Sequence, residues 1–513
     1  MRFTKGISSV LAVASAAVLF ASSPASAIST KEVRGRYFVD SVTGEPFFLK
    51  GVDYQPGGSA GFRDGADPLS DPDACARDVY LLQNLGVNTI RIYSIDPELD
   101  HDQCMTMLAS AGIYLVLDVN TPLENQHIYN NEPWTTYTEP YLTHVFSVIE
   151  AFAGYNNTLG FFAGNEIVNN VTSAEYSPHY IKAVVRDMKD YMSNNIKRQI
   201  PVGYSAADDL HYRISLADYL ESGPAEEAVD FYGVNSYQWC GRQTFQSSGY
   251  DTLVEAYSNF SMPIFLSEFG CNQVLPRTFQ EVGTIFSDDF SVVFSGGLVY
   301  EYSQETSDYG LVTIGDDGSA SMLPDYTVLS SMYASATVSG LATSSATPRP
   351  TSYASSYDNI NGETDIPDTL AADLIADGLD SSYVRGRYVD VTVRSTNYTI
   401  FDVSGNAITN SNIQITNDVE VSDESAIEQT DSDTPQSGDA ASVSTDATAT
   451  STSGASLAAS TESSATITGA PSASTAATTA ASPTSTGAAV ANFNHQTVGV
   501  AAIVAAVVGV VFA

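Results

Sequence analysis

The chain has 513 residues, of which 60 are acidic and 21 basic, for a net charge of −39 at neutral pH. A surface this acidic repels phosphate backbones, which argues against a nucleic-acid partner and fits a secreted protein in an acidic medium, where carboxylates are partly neutralised. The length alone allows roughly two to four units, but both ends read as non-globular.

Residues 1–27 combine a basic start (Arg2, Lys5), an apolar run over 10–20 and the small residues Ala25-Ser26-Ala27, the pattern of a cleaved secretory signal. The run is too short to span a membrane. Beyond it, extended runs at 36–40 and 46–52 flank Thr43-Gly44, which predicts a hairpin whose second arm continues as a buried strand. Apolar strands are then expected at 47–52, 87–93, 113–119, 159–166, 200–204, 229–237, 263–270 and 297–303. Helices are expected at 73–85, with Asp71 or Asp73 as N-cap and Gly86 as the stop, at 177–197 and at 278–286. In the second, Ile181, Val184, Val185, Met188 and Met192 recur at helical spacing. Eight strands alternating with helices over about 300 residues predict an α/β fold, a (β/α)8 TIM barrel across residues 28–339. A doubly wound open sheet is the alternative, ranked lower because no glycine-rich phosphate loop follows the first strand.

Residues 340–420 are polar and acidic, with Pro348, Pro350 and Pro367 and β-prone patches at 388–393 and 398–401, and read as a small accessory segment. Val384-Arg-Gly-Arg-Tyr388 repeats Val33-Arg-Gly-Arg-Tyr37 with no surrounding period, as a chance match would. Residues 421–487 turn acidic and then almost wholly Ser, Thr and Ala, a composition that cannot bury a core and reads as a disordered, O-glycosylated stalk. Residues 488–513 hold a polar spacer at 492–497 and an uncharged apolar run at 498–513. With small residues at Gly487-Ala488-Ala489, this is the order of a glycosylphosphatidylinositol signal, with the lipid placed near Gly487. A single-span anchor is the alternative, and it lacks flanking basic residues. Sequons stand at Asn156, Asn170, Asn259 and Asn397. Four cysteines in an oxidising compartment predict two disulfides. Three pairings are open; Cys75–Cys104 with Cys240–Cys271 is favoured because each joins neighbouring segments. A metal site lacks any supporting His or Cys cluster in the sequence.

The strands at 159–166 and 263–270 each end in a glutamate, Glu166 and Glu268. A strand buried on both faces has no structural need for a carboxylate at its tip. Barrel active sites lie at the C-terminal ends of strands. Those ends read Tyr54, Gln55, Tyr93, Asp118, Asn120, Asn165, Glu166, Asp208, Asp209, Asn235, Tyr237, Glu268, Tyr300 and Glu301, a set that folding alone would not place at one rim. Cleavage of a glycosidic bond through an oxocarbenium-like state needs one carboxyl to protonate the leaving oxygen and another to attack the anomeric carbon. Glu166 is assigned as acid/base and Glu268 as nucleophile. Asn165 is placed to bond the sugar 2-hydroxyl and Tyr237 to keep Glu268 ionised, while Gln55 and Asp118 are further candidate substrate contacts. The acid needs a raised pKa and the nucleophile an ordinary one. Two carboxyls suffice, so no cofactor or metal is implied. Tyr54, Tyr93, Tyr129, Trp134, Trp239, Tyr300 and Tyr302 are candidates to stack on sugar faces, with core packing as the alternative for each.

Over residues 30–335 the chain resembles the fungal cell-wall β-1,3-glucanosyltransferases of glycoside hydrolase family 72. The motifs are Phe48-Leu-Lys-Gly-Val-Asp-Tyr-Gln55, Asn88-Thr-Ile-Arg-Ile-Tyr93, Gly164-Asn-Glu166, Tyr232-Gly-Val-Asn-Ser-Tyr-Gln-Trp-Cys-Gly241, Leu266-Ser-Glu-Phe-Gly-Cys271 and Gly297-Leu-Val-Tyr-Glu-Tyr302. The resemblance implies a retaining double displacement on linear β-1,3-glucan. An internal linkage is cut, and the new reducing end is passed to the non-reducing end of another chain. It matches Glu166 to the proton donor, Glu268 to the nucleophile, Tyr93, Asn165 and Tyr300 to donor-side sugar contacts, and Asp208 and Arg213 to acceptor-side contacts. The favoured cysteine pairs also match the family. No cysteine follows Cys271, so the Cys-rich carbohydrate module of many members is expected to be missing, and substrate grip falls to the barrel cleft. The implied partners are donor and acceptor glucan chains and, through the lipid, the outer face of the plasma membrane or the wall. A monomer is expected. The alternatives are an endo-β-1,3-glucanase and a non-catalytic glucan-binding wall protein, the latter disfavoured because both glutamates are present.

Overall fold

A computed structural model of the chain describes residues 27–338 and 348–421. The expected signal sequence up to residue 26, the stalk and Gly487 lie outside the described residues. Eight parallel strands close into a barrel: β1 (Leu49–Asp53), β2 (Thr89–Ile92), β3 (Tyr114–Asp118), β4 (Thr158–Asn165), β5 (Val202–Ala207), β6 (Phe231–Asn235), β7 (Ile264–Phe269) and β8 (Phe294–Val299). Each neighbour pairs in sequence order, and β8 returns to β1 through Gly296↔Leu49 to Val299↔Val52. A helix follows each strand: α1 (Pro72–Leu85), α2 (Asp102–Ser110), α3 (Glu139–Ala153), α4 (Pro178–Asn195), α5 (Arg213–Glu221), α6 (Tyr250–Tyr257), α7 (Glu281–Ile285) and α8 (Pro324–Ser335). The expected (β/α)8 barrel is therefore present.

The local reasons are legible. Every residue of β2, β3, β6, β7 and β8 is buried, as strands covered on both faces require. Asp71 caps α1, its carboxylate accepting from the backbone of Asp73 and Ala74, with Pro72 in the first turn and Gly86 ending the helix at φ 85°. Inside the barrel Phe162, Phe231 and Phe265 pack together, with Phe231 centred 5.2 and 5.8 Å from the other two rings. Gly203 makes the room, since a β-carbon there would lie 2.4 Å from the Phe231 ring. Phe38 joins this cluster 5.5 Å from Phe231, carried by an antiparallel sheet of Lys31–Arg34, Tyr37–Asp40 and Pro46–Phe47. The predicted hairpin is the second half of that sheet, and it feeds directly into β1.

Three expectations shift. The eighth strand, predicted at 297–303, ends at Val299; the chain then leaves the barrel wall, with Tyr302 N bonding Asp53 O at 2.8 Å on the rim. The helix predicted at 278–286 shortens to Glu281–Ile285 because Phe279 adopts φ 47°, outside the helical region. The β-prone run 388–393 forms no strand: Val389 N bonds Thr106 Oγ1 at 3.2 Å and Thr392 N bonds Gln103 Oε1 at 3.1 Å, so side chains of α2 replace a sheet edge. Residues 348–421 as a whole run along the barrel exterior. Asn194 and Asn195 of α4 donate to Ile375 O, Tyr388 OH donates to Asn157 at 2.7 Å, and Gln83 of α1 donates to Gln414 O at 2.7 Å. Ile375, Leu379, Tyr388 and Ile400 are buried there, and Ile400–Phe401 adds a strand to the sheet of Val312–Ile314 and Ala320–Met322.

Cys75–Cys104 joins α1 to α2, and Cys240–Cys271 joins the loops after β6 and β7. The second closes a separation of 31 residues. Replacing both of its cysteines by serine is expected to lower the unfolding free energy by about 3–4 kcal/mol. Urea unfolding of the double-serine variant against the parent checks this.

Candidate active site

Arg91 lies in the middle of β2 and is fully buried. Its guanidinium grips Asp118 of β3 through Nε at 2.8 Å and Nη2 at 3.0 Å. Nη1 reaches across to Glu268 Oε1 of β7 at 3.3 Å. The group also sits over the Tyr93 and Phe162 rings, 4.3 and 4.7 Å from their centroids. Glu268 accepts two hydroxyl bonds besides, from Tyr93 to Oε1 at 2.8 Å and from Tyr237 to Oε2 at 2.6 Å. Tyr300 stands edge-on to both tyrosines, at 6.5 Å from Tyr93 and 6.3 Å from Tyr237, so three tyrosines wall the carboxylate.

Glu166 follows the last residue of β4 and adopts φ 50°, a left-handed conformation costly for a residue with a β-carbon. Its amide still bonds Ser205 O at 2.8 Å, and its carboxylate accepts from Asn235 Nδ2 at 2.8 Å. Beneath runs a polar belt across β4–β7. Ser205 Oγ donates to Asn165 Oδ1 at 2.7 Å, Ser267 Oγ donates to Asn235 Oδ1 at 2.7 Å, and the two hydroxyls lie 3.0 Å apart. Asn235 Nδ2 also reaches Asn165 Oδ1 at 3.1 Å. Asn165 is thereby oriented through its carbonyl oxygen.

Burial pushes the Glu166 carboxyl up to about 7, and the charge of Glu268 adds to the rise against the Asn235 bond. Burial raises Glu268 too, which corrects the expectation of an ordinary value; Arg91 and the Tyr237 and Tyr93 hydroxyls oppose the rise. The asymmetry thus lies in the donors. Glu268 has a cation and two hydroxyls holding its ionised form, while Glu166 has one amide. Asp53, at the end of β1, is fully buried with neither oxygen hydrogen-bonded, and burial raises it well above the usual carboxyl range.

Other rim candidates have duties elsewhere. Asp118 is buried and both its oxygens hold Arg91, so it positions that group. Gln55 is buried; its Oε1 accepts from the Tyr93 and Ser94 amides at 3.1 and 3.0 Å, which fixes the loop carrying Tyr93. Tyr54 and Tyr302 are core residues sharing Asp78, at 2.7 and 2.6 Å, and Trp239 is buried; none of the three is open to a sugar. Asn120 is spent on Ala163 O and the Tyr141 hydroxyl. Asp208 accepts from Arg213 Nη1 at 2.8 Å and Ser236 Oγ at 2.9 Å, whereas Asp209 turns to the His211 amide. Asn156, Asn259 and Asn397 of the sequons are exposed, and Asn170 is half-buried as the N-cap of a short helix, Val171–Tyr176. Arg91, Asp53 and the Ser205–Ser267 pair escaped the reading of strand ends because they lie inside strands or face inward. A charged residue within the apolar run Ile90-Arg91-Ile92 was the available signal. Among the described residues no group of three or more His, Cys, Asp or Glu converges to hold a metal.

The profile of the glucanosyltransferase family, glycoside hydrolase family 72, matches residues 20–337. The chain belongs to this family. It is 56% identical over 386 residues to the 1,3-beta-glucanosyltransferase GAS4 of Saccharomyces cerevisiae, covering 74% of this chain and 82% of that one. It is 43% identical over 408 residues to the 1,3-beta-glucanosyltransferase gel2 of Aspergillus fumigatus, covering 78% and 86%. The fold matches Saccharomyces cerevisiae Gas2p solved with laminaritriose and laminaritetraose, at TM-score 0.61 and 38% identity over 67% of this chain and 77% of that one.

Arg91→Ala would leave Asp118 and Glu268 buried without their cation. It is expected to cost about 3–5 kcal/mol of stability, read from denaturant unfolding. An unchanged midpoint would refute the central position given to Arg91.

Proposed function

We propose that the protein is a retaining β-1,3-glucanosyltransferase that cleaves an internal linkage of one β-1,3-glucan chain and transfers the new reducing end to the non-reducing end of another. The observation that carries this reading is the pair of glutamates, half-buried Glu166 and buried Glu268, at the ends of β4 and β7 with unequal donor sets, in a chain of the glucanosyltransferase family.

Protonated Glu166 gives its proton to the glycosidic oxygen as Glu268 Oε2 or Oε1 attacks the anomeric carbon, forming a glycosyl ester and releasing the reducing-side fragment. The Arg91, Tyr93 and Tyr237 donors hold Glu268 ionised and aimed until it reacts. Glu166, now ionised, takes the proton from the 3-hydroxyl of the acceptor's non-reducing end, and the new β-1,3 bond forms as the ester breaks. Tyr93, Asn165 and Tyr300 contact the donor sugar, with Asn165 bonding its 2-hydroxyl. Asp208 and Arg213, an ion pair at 2.8 Å, contact the acceptor side. The enzyme acts outside the cell as a monomer, held to the outer face of the plasma membrane by a lipid near Gly487 or transferred to the wall. No helix among the described residues is long and apolar enough to cross a membrane.

Incubating a soluble form, residues 28–420, with a reduced linear β-1,3-gluco-oligosaccharide is expected to give products longer than the starting sugar. Glu166→Gln and Glu268→Gln are each expected to lower kcat by at least about a hundredfold. Shorter products alone, even at high substrate, would identify a hydrolase; glucan binding without turnover would identify a wall-binding protein.

The pH profile gives a second expectation. Glu166 must be protonated, so kcat/KM falls as pH rises through about 7. Glu268 must be ionised, so the acid limb lies above the ordinary glutamate value. A profile still rising above pH 8 would remove Glu166 from the acid role.

A further inference from the structure

Among the described residues, two aromatic side chains remain exposed: Trp134 at 49% and Tyr176 at 40%. They touch one another edge to face, with ring centroids 5.4 Å apart and planes at 88°. Trp134 lies in the loop after β3, within the single turn Pro133–Thr135. Tyr176 ends the short helix Val171–Tyr176 in the loop after β4. Both loops leave C-terminal ends of barrel strands, so the pair shares the rim of Glu166 and Glu268.

The loops are tied together. Asn130 Nδ2 donates to Asn169 Oδ1 at 3.0 Å and Ser177 Oγ donates to Asn130 O at 2.5 Å, while Tyr129 N bonds Thr136 Oγ1 at 2.8 Å within the first loop. Asn169 is three residues from Glu166, at most about 11 Å along the chain. The two loops that carry the rings are therefore held together before any ligand arrives, and the one bearing Tyr176 starts at Glu166. Exposed Trp and Tyr held rigidly, with amides beside them, suit a ligand having apolar faces and hydroxyl edges. A net charge of −39 disfavours an anionic ligand and a second copy of the chain, and leaves a neutral one unopposed.

We infer that Trp134 and Tyr176 form an outer glucan subsite, a two-ring platform on the β3–β4 rim that holds a β-1,3-glucan chain several sugar units from the bond being cut. The inference rests on the glucanosyltransferase reading for its ligand. The platform contributes grip along the polymer and takes no part in bond making.

The test is turnover by the full-length protein on long and short β-1,3-gluco-oligosaccharides, with Trp134→Ala, Tyr176→Ala and Trp134→Phe. Trp134→Ala is expected to raise KM about tenfold on the long substrate, with kcat and the short-substrate KM unchanged and Trp134→Phe largely restoring it. Equal losses on both lengths, or none on the long one, would overturn the inference. Thr172→Ala removes the Asn170 sequon without touching the capping asparagine; a Trp134 effect that vanishes in that background would show that the rings bed a glycan instead. A change in sedimentation with no change in KM would show a contact between copies instead. Should the parent turn over no β-1,3-glucan, the function reading fails on its own. The platform is then judged by fluorescence, because Trp134 is the exposed member of the chain's two tryptophans and Trp239 is buried. A long laminari-oligosaccharide must change the emission of the parent and leave that of Trp134→Ala unaltered.

Discussion

Arg91 sits where a (β/α)8 barrel ordinarily places an aliphatic layer, and its charge has no access to water. Such a cation survives only if its carboxylate partners are fixed by the fold. Asp118 supplies a two-point grip from the adjacent strand, and Glu268 completes the set from across the barrel. The three strands must close in the right register for this to happen. Barrel closure and orientation of the rim carboxylate are in this sense one constraint: a strand out of register would bury a charge unpaired.

The two glutamates then differ chiefly by the donors that surround them. Both are raised by burial. Glu268 is surrounded by donors that favour its anion, whereas Glu166 meets one amide and the repulsion of Glu268. This pushes the proton of the pair toward Glu166, which is the order that a retaining mechanism needs. The left-handed backbone at Glu166 belongs to the same design. Strain is tolerated at the strand tip because the Ser205 carbonyl and Asn235 amide fix both the backbone and the side chain.

Outside the barrel, residues 348–421 cover helices that would otherwise face solvent, with Ile375, Leu379 and Tyr388 buried against them. The rim is stiffened separately, by Cys240–Cys271 between the loops that follow Tyr237 and Glu268 and by the amide ties between the β3 and β4 loops. Rigidity at the rim lowers the entropy lost on gripping a long flexible polymer.

By itself the sequence determined the barrel, because eight apolar runs separated by helical periodicity bury their surface in few other ways. It also determined the two strand-end glutamates, whose position no packing argument explains. Capping at Asp71 and Gly86 was equally local and equally legible. Tertiary structure alone decided which rim residues face the cleft. Gln55, Asp118, Tyr54 and Tyr302 look like their neighbours Tyr93 and Asn165 in one dimension, yet each turns inward to a partner far away in sequence. It also decided that Arg91, mid-strand and unremarked at any rim, holds the Glu268 carboxylate. Side-chain direction near a barrel mouth depends on strand register and on which buried polar groups must be satisfied, and both are set by contacts between distant segments that no local pattern encodes.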